Sequence, residues 1–331
     1  MLKHIIAIKK IELICWILLW YNPLFSTRTT TNVHVVVSAF SLNNNIYSNL
    51  NLHKVYLRQT NPSSSPWCYA LTIDPTQSSS TSSSTTTPSL SYNFLASQVW
   101  PSARVAATIC ETYMTKIIIK NNKNKNNWTI CELGCGPALP SLTLAKLGIN
   151  VIATDIDELA LYMAMKAAKE QGITTQQQQQ EEEHDRMESL VNSNNDNNNN
   201  NNMFQTKIVD LMGDVNIIND INADLYILSD VFETNSVAIG AAKMTKKALD
   251  SGARVWVFAQ SDRAQREVYR VELERLLKED DDYDDDDILL SSSGSLQWKF
   301  INNNHNDEQF DSLDNTSLLL CDLDEVLVDY G

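Results

Sequence analysis

The chain has 331 residues, enough for one domain of roughly 200 residues with long tails. Its formal net charge is −15, and two acidic runs, 181–188 and 279–287, hold most of that charge. The acidity says little about protein or small-molecule partners. It disfavours direct binding to nucleic acid, and we therefore expect no nucleic-acid partner.

Residues 1–39 are predicted to form a signal peptide. Basic residues near the start precede an apolar run at 13–19, which is too short to span a bilayer comfortably. A small-residue cleavage pattern follows at 37–39. We expect no stable membrane anchor after this segment is removed.

Residues 40–91 have the composition of a transit peptide and a disordered linker. The stretch 13–73 contains no Asp or Glu but many Ser, Thr and Asn, and 78–91 is almost entirely Ser and Thr. A signal peptide joined to a transit peptide resembles the bipartite plastid presequences of algae with secondary plastids. A plastid location is expected if the presequence is real and a cytoplasmic one otherwise; the alternative is a mispredicted start or a disordered tail.

Residues 128–157 contain the pattern around which the domain is organised. A buried strand is predicted at 128–131, followed at once by Gly134 and Gly136, a helix at 141–147 and a second strand at 150–154 that ends in Asp155. Glycine permits positive φ and lets a ligand approach the backbone closely. Asp155 lies 19 positions after Gly136, near the spacing of about 20 residues at which an acid binds a ribose.

The residues of the turn distinguish between nucleotide classes. The dinucleotide fingerprint requires Gly or Ala at the position of Leu139, so that pattern fails. The first strand ends in Glu132, whose carboxylate would repel a pyrophosphate and attract a sulfonium or ammonium group. The run from Glu132 through Gly134, Cys135 and Gly136 resembles motif I of class I S-adenosylmethionine (SAM) methyltransferases, with Ala138 at the usual third glycine. The alternative is an α/β turn that binds no cofactor.

This resemblance implies a Rossmann-like α/β fold with a seven-stranded, mostly parallel sheet and an antiparallel final strand. The domain would span 92–331, with low-complexity insertions at 174–202 and 279–295. Val99 to Ala103 is similar to the segment before motif I in family 16 methyltransferases. There the tryptophan, Trp100 here, lines the cofactor pocket.

Two later strand ends are predicted to complete the site. The strand 204–209 ends before Asp210, which would accept a hydrogen bond from the adenine amine, and Met212 would cover an adenine face. The strand in 223–230 ends in Ser229, assigned to the cofactor pocket, and Asp230. Asp230 and Glu233 are the predicted catalytic residues, which would hold the ammonium of a lysine acceptor and orient its lone pair.

The remaining segments carry weaker signals. A helix is predicted at 261–277, with Arg263, Arg266 and Arg270 on a solvated face. Candidate final strands lie at 296–301 and 317–321. The six cysteines contain no C-x-x-C pair, so a metal site or a disulfide framework is not expected.

The sequence therefore predicts a methyltransferase that uses SAM. A protein-lysine N-methyltransferase is the first hypothesis, with a protein substrate and a monomeric state. The motifs are most similar to the group that methylates the β-subunit of electron-transfer flavoprotein. A small-molecule N- or O-methyltransferase and a catalytically silent methyltransferase-like interaction module remain alternatives.

Overall fold

A parallel β-sheet forms the centre of the protein. The computed structural model describes residues 50–57, 68–73, 95–121, 128–175, 203–279, 296–300 and 317–322. The strands are β1 (Leu52–Tyr56), β2 (Tyr69–Ile73), β3 (Thr129–Leu133), β4 (Asn150–Asp155), β5 (Phe204–Ile208), β6 (Leu225–Ser229), β7 (Arg254–Ala259), β8 (Lys299–Phe300) and β9 (Leu318–Asp322). Seven of them form one sheet in the order β5-β4-β3-β6-β7-β9-β8.

Helices cover both faces of this sheet. They are α1 (Pro101–Asn121), α2 (Leu139–Lys146), α3 (Glu158–Glu170), α4 (Ile217–Ile221), α5 (Asn235–Asp250) and α6 (Gln265–Lys278). The side chain of Asp157 accepts a hydrogen bond from the Leu159 N–H, and so forms the N-cap of α3. Thr234 caps α5 in the same way, and Pro101 takes the first position of α1.

The two faces of the sheet carry separate apolar cores. Alternate residues of the central strands point to opposite sides, as the pleat requires. Ile227 packs into the core shared with α1, α2 and α3, whereas its neighbours Tyr226 and Leu228 pack into the core shared with α5 and α6. Burial on both faces explains why these strands are continuous apolar runs in the sequence.

The predicted antiparallel final strand is wrong for the described residues. β9 pairs in parallel with β7, and β8 pairs in parallel with β9. Apolar runs indicate that strands exist but not which way they point. A hairpin between β8 and β9 was the simplest interpretation, yet the segment between Phe300 and Leu318 is long enough for the crossover that a parallel pair requires.

A β-hairpin precedes the predicted start of the domain. β1 and β2 pair antiparallel, and all five residues of β2 are buried. The Tyr69 hydroxyl donates to Glu170 at the end of α3 (3.0 Å), and the Gln171 amide donates to the Tyr69 carbonyl (2.8 Å). The prediction that 40–91 is wholly transit-like and disordered is therefore wrong for β1 and β2, which belong to the folded domain.

Several predicted features lie outside the described residues. They are the signal peptide at 1–39, the linker at 78–91 and nearly all of the two low-complexity insertions. The first insertion starts later than predicted, because Thr175 is buried and forms a β-bridge to Phe204.

Candidate active site

An open cleft of about 860 Å³ lies at the carboxyl ends of β3, β4 and β6. The chain reaches β3 first, then continues to β4 on one side and to β6 on the other, so the strand order reverses at β3. Ligands of open α/β sheets bind at such a switch point because the loops on its two sides diverge there. The cleft therefore occupies the position at which the sequence predicts a ligand.

All eleven residues that the sequence assigns to the site line this cleft. They are Trp100, Glu132, Gly134, Cys135, Gly136, Asp155, Asp210, Met212, Ser229, Asp230 and Glu233. The structure thus brings the predicted cofactor residues and the predicted catalytic residues together, although their individual roles stay predictions.

The turn after β3 has the left-handed backbone that its glycines permit. Gly134 has φ of 67°, and a Cβ there would lie 2.6 Å from the Val231 side chain. Gly136 has φ of 49°. Ala138 replaces the usual third glycine but also has a positive φ, 59°. A side chain in this conformation costs about 1 kcal/mol relative to glycine, so the turn is held by its surroundings.

Glu132 is a buried carboxylate with one satisfied oxygen. Its Oε2 accepts hydrogen bonds from the Ser141 N–H (3.0 Å) and hydroxyl (2.5 Å), in the first turn of α2. Its Oε1 is buried and, among the described residues, has no hydrogen-bond partner. Burial raises the pKa of Glu132 to about 8. An unpartnered oxygen in the wall of a cleft is where a cationic ligand group gains most.

Asp155 braces the glycine turn and retains capacity for a ligand. Its two oxygens accept from the Gly136 N–H (2.8 Å) and the Asp157 N–H (2.9 Å). A carboxylate can accept about four hydrogen bonds, and the Ile156 N–H also acts on Asp155, so acceptor capacity remains for a predicted ribose hydroxyl. Burial also raises the pKa of Asp155 above its ordinary value.

The residues after β5 form the opposite wall. Asp210 accepts a hydrogen bond from the Met212 N–H (2.8 Å) through Oδ1. The Met212 side chain is exposed, as is that of Ile156 just after β4, and both line the cleft. Two exposed apolar side chains beside an acid suit an adenine ring. Met212 was predicted from the sequence, whereas Ile156 was not; its position directly after Asp155 was the available signal.

Asp230 is not free to meet an acceptor. It has φ of 56°, and its carboxylate receives hydrogen bonds from Nε (3.2 Å to each oxygen) and Nη2 (3.1 Å) of Arg263. Its side chain has no exposed surface. Burial raises the pKa of Asp230, and the charge of Arg263 partly opposes that rise. The predicted contact between Asp230 and a lysine ammonium stays a prediction, because Asp230 lines the cleft but its carboxylate is already paired with Arg263.

Arg263 and Arg266 also depart from the predicted solvated face. The last helix begins at Gln265, so Arg263 lies in the turn before it. The Arg263 guanidinium lies over the Trp100 ring, 4.8 Å from its centre. Arg266 binds Asp322 through two nitrogens. Sequence reasoning missed both partners because they lie more than 30 positions away along the chain.

Glu233 is the more accessible carboxylate at the mouth of the cleft. Its residue is exposed, and its pKa is raised first by desolvation and then by the charge of Asp155. A nearby positive charge would relieve that repulsion. Ser229, at the end of β6, contributes a buried hydroxyl without a hydrogen-bond partner among the described residues.

The lining has the charge and shape that SAM requires. Five carboxylates line the cleft: Glu132, Asp155, Asp210, Asp230 and Glu233. Arg263 compensates the charge of Asp230, and the other four acids still give the lining an acidic excess. SAM carries one positive charge more than its product, so an acidic lining favours the substrate form of the predicted cofactor. The unpartnered Oε1 of Glu132 suits a cationic group of its methionine portion. Fold and site together define a Rossmann-like nucleotide-binding domain for a cationic ligand.

Comparison with known families specifies the class. Residues 89–248 match the model of family 16 methyltransferases, which is described as lysine methyltransferase. The predicted resemblance is confirmed over this stretch, which is just under half of the chain. The matched stretch thus resembles a methyltransferase domain, and SAM stays the cofactor that the sequence predicts.

Solved structures of methyltransferases also align with the chain. A SAM-dependent methyltransferase from Clostridium acetobutylicum is 14% identical over 46% of this chain and 49% of its own, with a TM-score of 0.29. A TehB-like SAM-dependent methyltransferase from Corynebacterium glutamicum is 14% identical over 51% and 83%, with a TM-score of 0.29. Magnesium protoporphyrin IX methyltransferase from Synechocystis with bound SAH is 20% identical over 48% and 60%, with a TM-score of 0.27.

These alignments are partial. The chain spans about half the length of the first two solved structures that it matches. A comparison with curated protein sequences found no match. Within the described residues, every helix is too short or too polar to cross a membrane.

Proposed function

We propose that this chain is a protein-lysine N-methyltransferase that acts by in-line transfer from SAM. The observation that carries the proposal is the cleft itself. It combines a buried, half-satisfied Glu132 on the cofactor side with an exposed Glu233 at the mouth. The family description supports an amine acceptor.

The cofactor residues divide by ligand group. Glu132 and the turn at Gly134 and Gly136 would hold the methionine portion, and Asp155 the ribose. Asp210, Ile156 and Met212 would surround the adenine. When bound, SAM would supply a methyl group activated by its sulfonium. The lone pair of a neutral amine attacks the methyl carbon, so that the C–N bond forms as the C–S bond breaks, S-adenosylhomocysteine (SAH) leaves, and the methylated ammonium then releases a proton.

The acceptor side depends on Glu233 and Trp100. A lysine enters as an ammonium and must lose a proton before it can react. Glu233 attracts the ammonium, and its raised pKa brings it closer to the range in which a carboxylate can take up a proton. Trp100 provides an apolar wall for the alkyl stem. The protein then contributes proximity and orientation, which account for most of the acceleration in such a displacement.

The test begins with the cofactor. Calorimetry of the full chain should give a dissociation constant for SAH on the order of micromolar, and Asp155→Ala should abolish binding. The full chain is used because the hairpin β1–β2 belongs to the folded domain and the Gln98 amide, in the cleft wall, donates to the Ile73 carbonyl of β2 (2.9 Å).

The second stage identifies the acceptor. Labelled SAM and a cell lysate should give methyl-lysine in a protein, located by mass spectrometry, and Glu233→Gln should reduce it. Label found only in small molecules would support the small-molecule alternative. Absence of SAH binding by a folded chain would support the interaction module and overturn the proposal. A plastid location for this activity is part of the proposal, and imaging of a fluorescent fusion with residues 1–49 tests it.

A further inference from the structure

We propose that Arg263 is a positioning residue for the methyltransferase site, although the sequence places it outside every motif. Arg263 fixes the Trp100 ring and neutralises Asp230, and it thereby leaves Glu233 to meet the ammonium of the acceptor. This inference rests on the proposed function, because it assigns roles at the same cleft.

Asp230 is held at a fixed place beside the cleft. It follows β6 directly, and its N–H donates to the Phe258 carbonyl of β7 (2.8 Å). Its left-handed backbone carries a cost that its surroundings must offset. The side chain is therefore directed by the backbone into a buried position, where its charge requires a partner.

Arg263 supplies that partner from the turn after the neighbouring strand, β7. Arg263 follows β7, and its N–H donates to the Gln260 carbonyl (3.2 Å) while its carbonyl accepts from the Arg266 N–H (3.1 Å). With the backbone so fixed, the guanidinium binds both oxygens of Asp230. A rigid planar fork makes this geometry, and a lysine ammonium cannot reproduce it.

The guanidinium of Arg263 also lies over the Trp100 ring. Trp100 immediately precedes α1 and lines the cleft, so Arg263 connects the entrance of α1 to the ends of β6 and β7. The contact fixes the ring as a wall of the site. Loss of the guanidinium plane would remove this contact with the ring and leave Asp230 as an uncompensated second anion near Glu233.

The chain offers a matched control three positions away. Arg266 also binds an aspartate through two nitrogens, Asp322, and also lies over a tryptophan ring, Trp298, at 5.2 Å. Neither of these partners lines the cleft. Arg263→Lys and Arg266→Lys therefore remove the same kind of contact at and away from the site.

The experiment measures SAH affinity of the full-length variants by calorimetry, together with tryptophan fluorescence. SAH binding should change the tryptophan fluorescence of the protein. The difference between this change in wild type and in Trp100→Phe is the contribution of Trp100, called the Trp100 signal below. We expect Arg263→Lys to weaken SAH binding about tenfold, the effect of losing a desolvated fork and stacking contact, and to lose the Trp100 signal. Arg266→Lys should bind SAH within about twofold of wild type.

The outcomes separate this inference from the proposed function. Equal SAH affinity and an unchanged Trp100 signal in Arg263→Lys would overturn the positioning role alone. Equal weakening in both variants would also overturn it, since that result indicates a general loss of structure. SAH binding by wild type without methyl-lysine formation would overturn the lysine activity and leave the positioning role standing. No SAH binding by wild type would overturn both.

Discussion

The strands β3 and β6 lie side by side, and each carries a buried carboxylate to the same cleft with an opposite environment. Glu132 has one oxygen bound to Ser141 and one without a partner among the described residues. Asp230 has both oxygens bound by Arg263. One charge is left for a ligand to compensate, whereas the other is compensated by the protein.

The difference between Glu132 and Asp230 shows how a carboxylate that can bind a ligand is distinguished from one that stabilises the fold within the same cleft. Burial raises the pKa of both residues, so the pKa direction alone does not distinguish them. The partner does. An acid whose charge the fold already neutralises gains little from a cation, while one with an open oxygen gains a hydrogen bond as well as an ion pair.

The largest change in stability is expected when Asp230 loses the guanidinium of Arg263. Arg263→Met leaves the fully buried Asp230 side chain uncompensated, and we expect the free energy of unfolding to fall by about 3–4 kcal/mol. Urea unfolding measures this loss. The double variant Asp230→Asn with Arg263→Met should recover part of it, and a double variant no more stable than Arg263→Met would contradict the assignment.

A smaller loss is expected where the two strand ends touch. Gly134 follows β3 and faces Val231 after β6, so Gly134→Ala places a Cβ 2.6 Å from a side-chain carbon at a φ of 67°. We expect a loss of about 2–3 kcal/mol from strain and overpacking together, measured by thermal unfolding. Gly172→Ala is the control, because φ there is 69° but nothing lies within 4 Å of its Cβ. Similar losses in the two variants would show that the contact with Val231 costs nothing.

The open acid should make stability depend on pH. The folded-state pKa of Glu132, about 8, is above its ordinary value of 4.5, so folding favours the protonated form. The free energy of unfolding then falls as pH rises from the ordinary pKa to the folded-state pKa, by about 2 kcal/mol between pH 5 and pH 7. Glu132→Gln should lack this part of the pH dependence in urea titrations. A slope identical to wild type would refute the buried, unpartnered carboxylate.

The same residue should distinguish cofactor from product. SAM is more cationic than SAH, so affinity for SAM should rise more steeply than affinity for SAH as Glu132 ionises between pH 6 and about 8. Calorimetry at several pH values measures the ratio. Glu132→Gln should flatten it; a ratio that still rises would assign the effect to another carboxylate in the cleft.

The smallest effect is expected from an acid that only caps a helix. Asp157 accepts from the Leu159 N–H at the start of α3, and Asp157→Ala should cost about 1 kcal/mol of stability. The preference for SAM over SAH should not change, since Asp157 does not line the cleft. A changed preference in calorimetry would move Asp157 into the binding site.

Local sequence predicted one half of the cleft well. Glu132, Gly134, Gly136 and Asp155 lie within 24 residues and belong to consecutive elements, so their spacing alone places them together. The strands β3, β4, β5 and β6 were also predicted, and β3, β4 and β6 are short, largely apolar runs between turn residues.

The other half depends on contacts between distant segments. Asp230 directly follows β6, and Arg263 lies in the turn after the neighbouring strand β7, with the long helix α5 between the two in sequence. Trp100 precedes the strands of the sheet. A charged residue near a helix start is usually solvated, which made the solvated interpretation of Arg263 the natural one. The hairpin β1–β2 was missed for a similar reason, since its polar, acid-poor composition resembles a targeting sequence and its burial depends on α3.

That hairpin limits how the polypeptide can be processed. β2 is wholly buried, and Gln98, which lines the cleft, donates to the carbonyl of Ile73 at its end. A protease that cut between Leu52 and Ile73 would remove or sever a piece of the folded domain rather than a leader. If maturation removes a signal peptide after Ala39 and then a transit peptide, the second cut must fall within about the next ten residues, so the mature N-terminus lies close to the first strand.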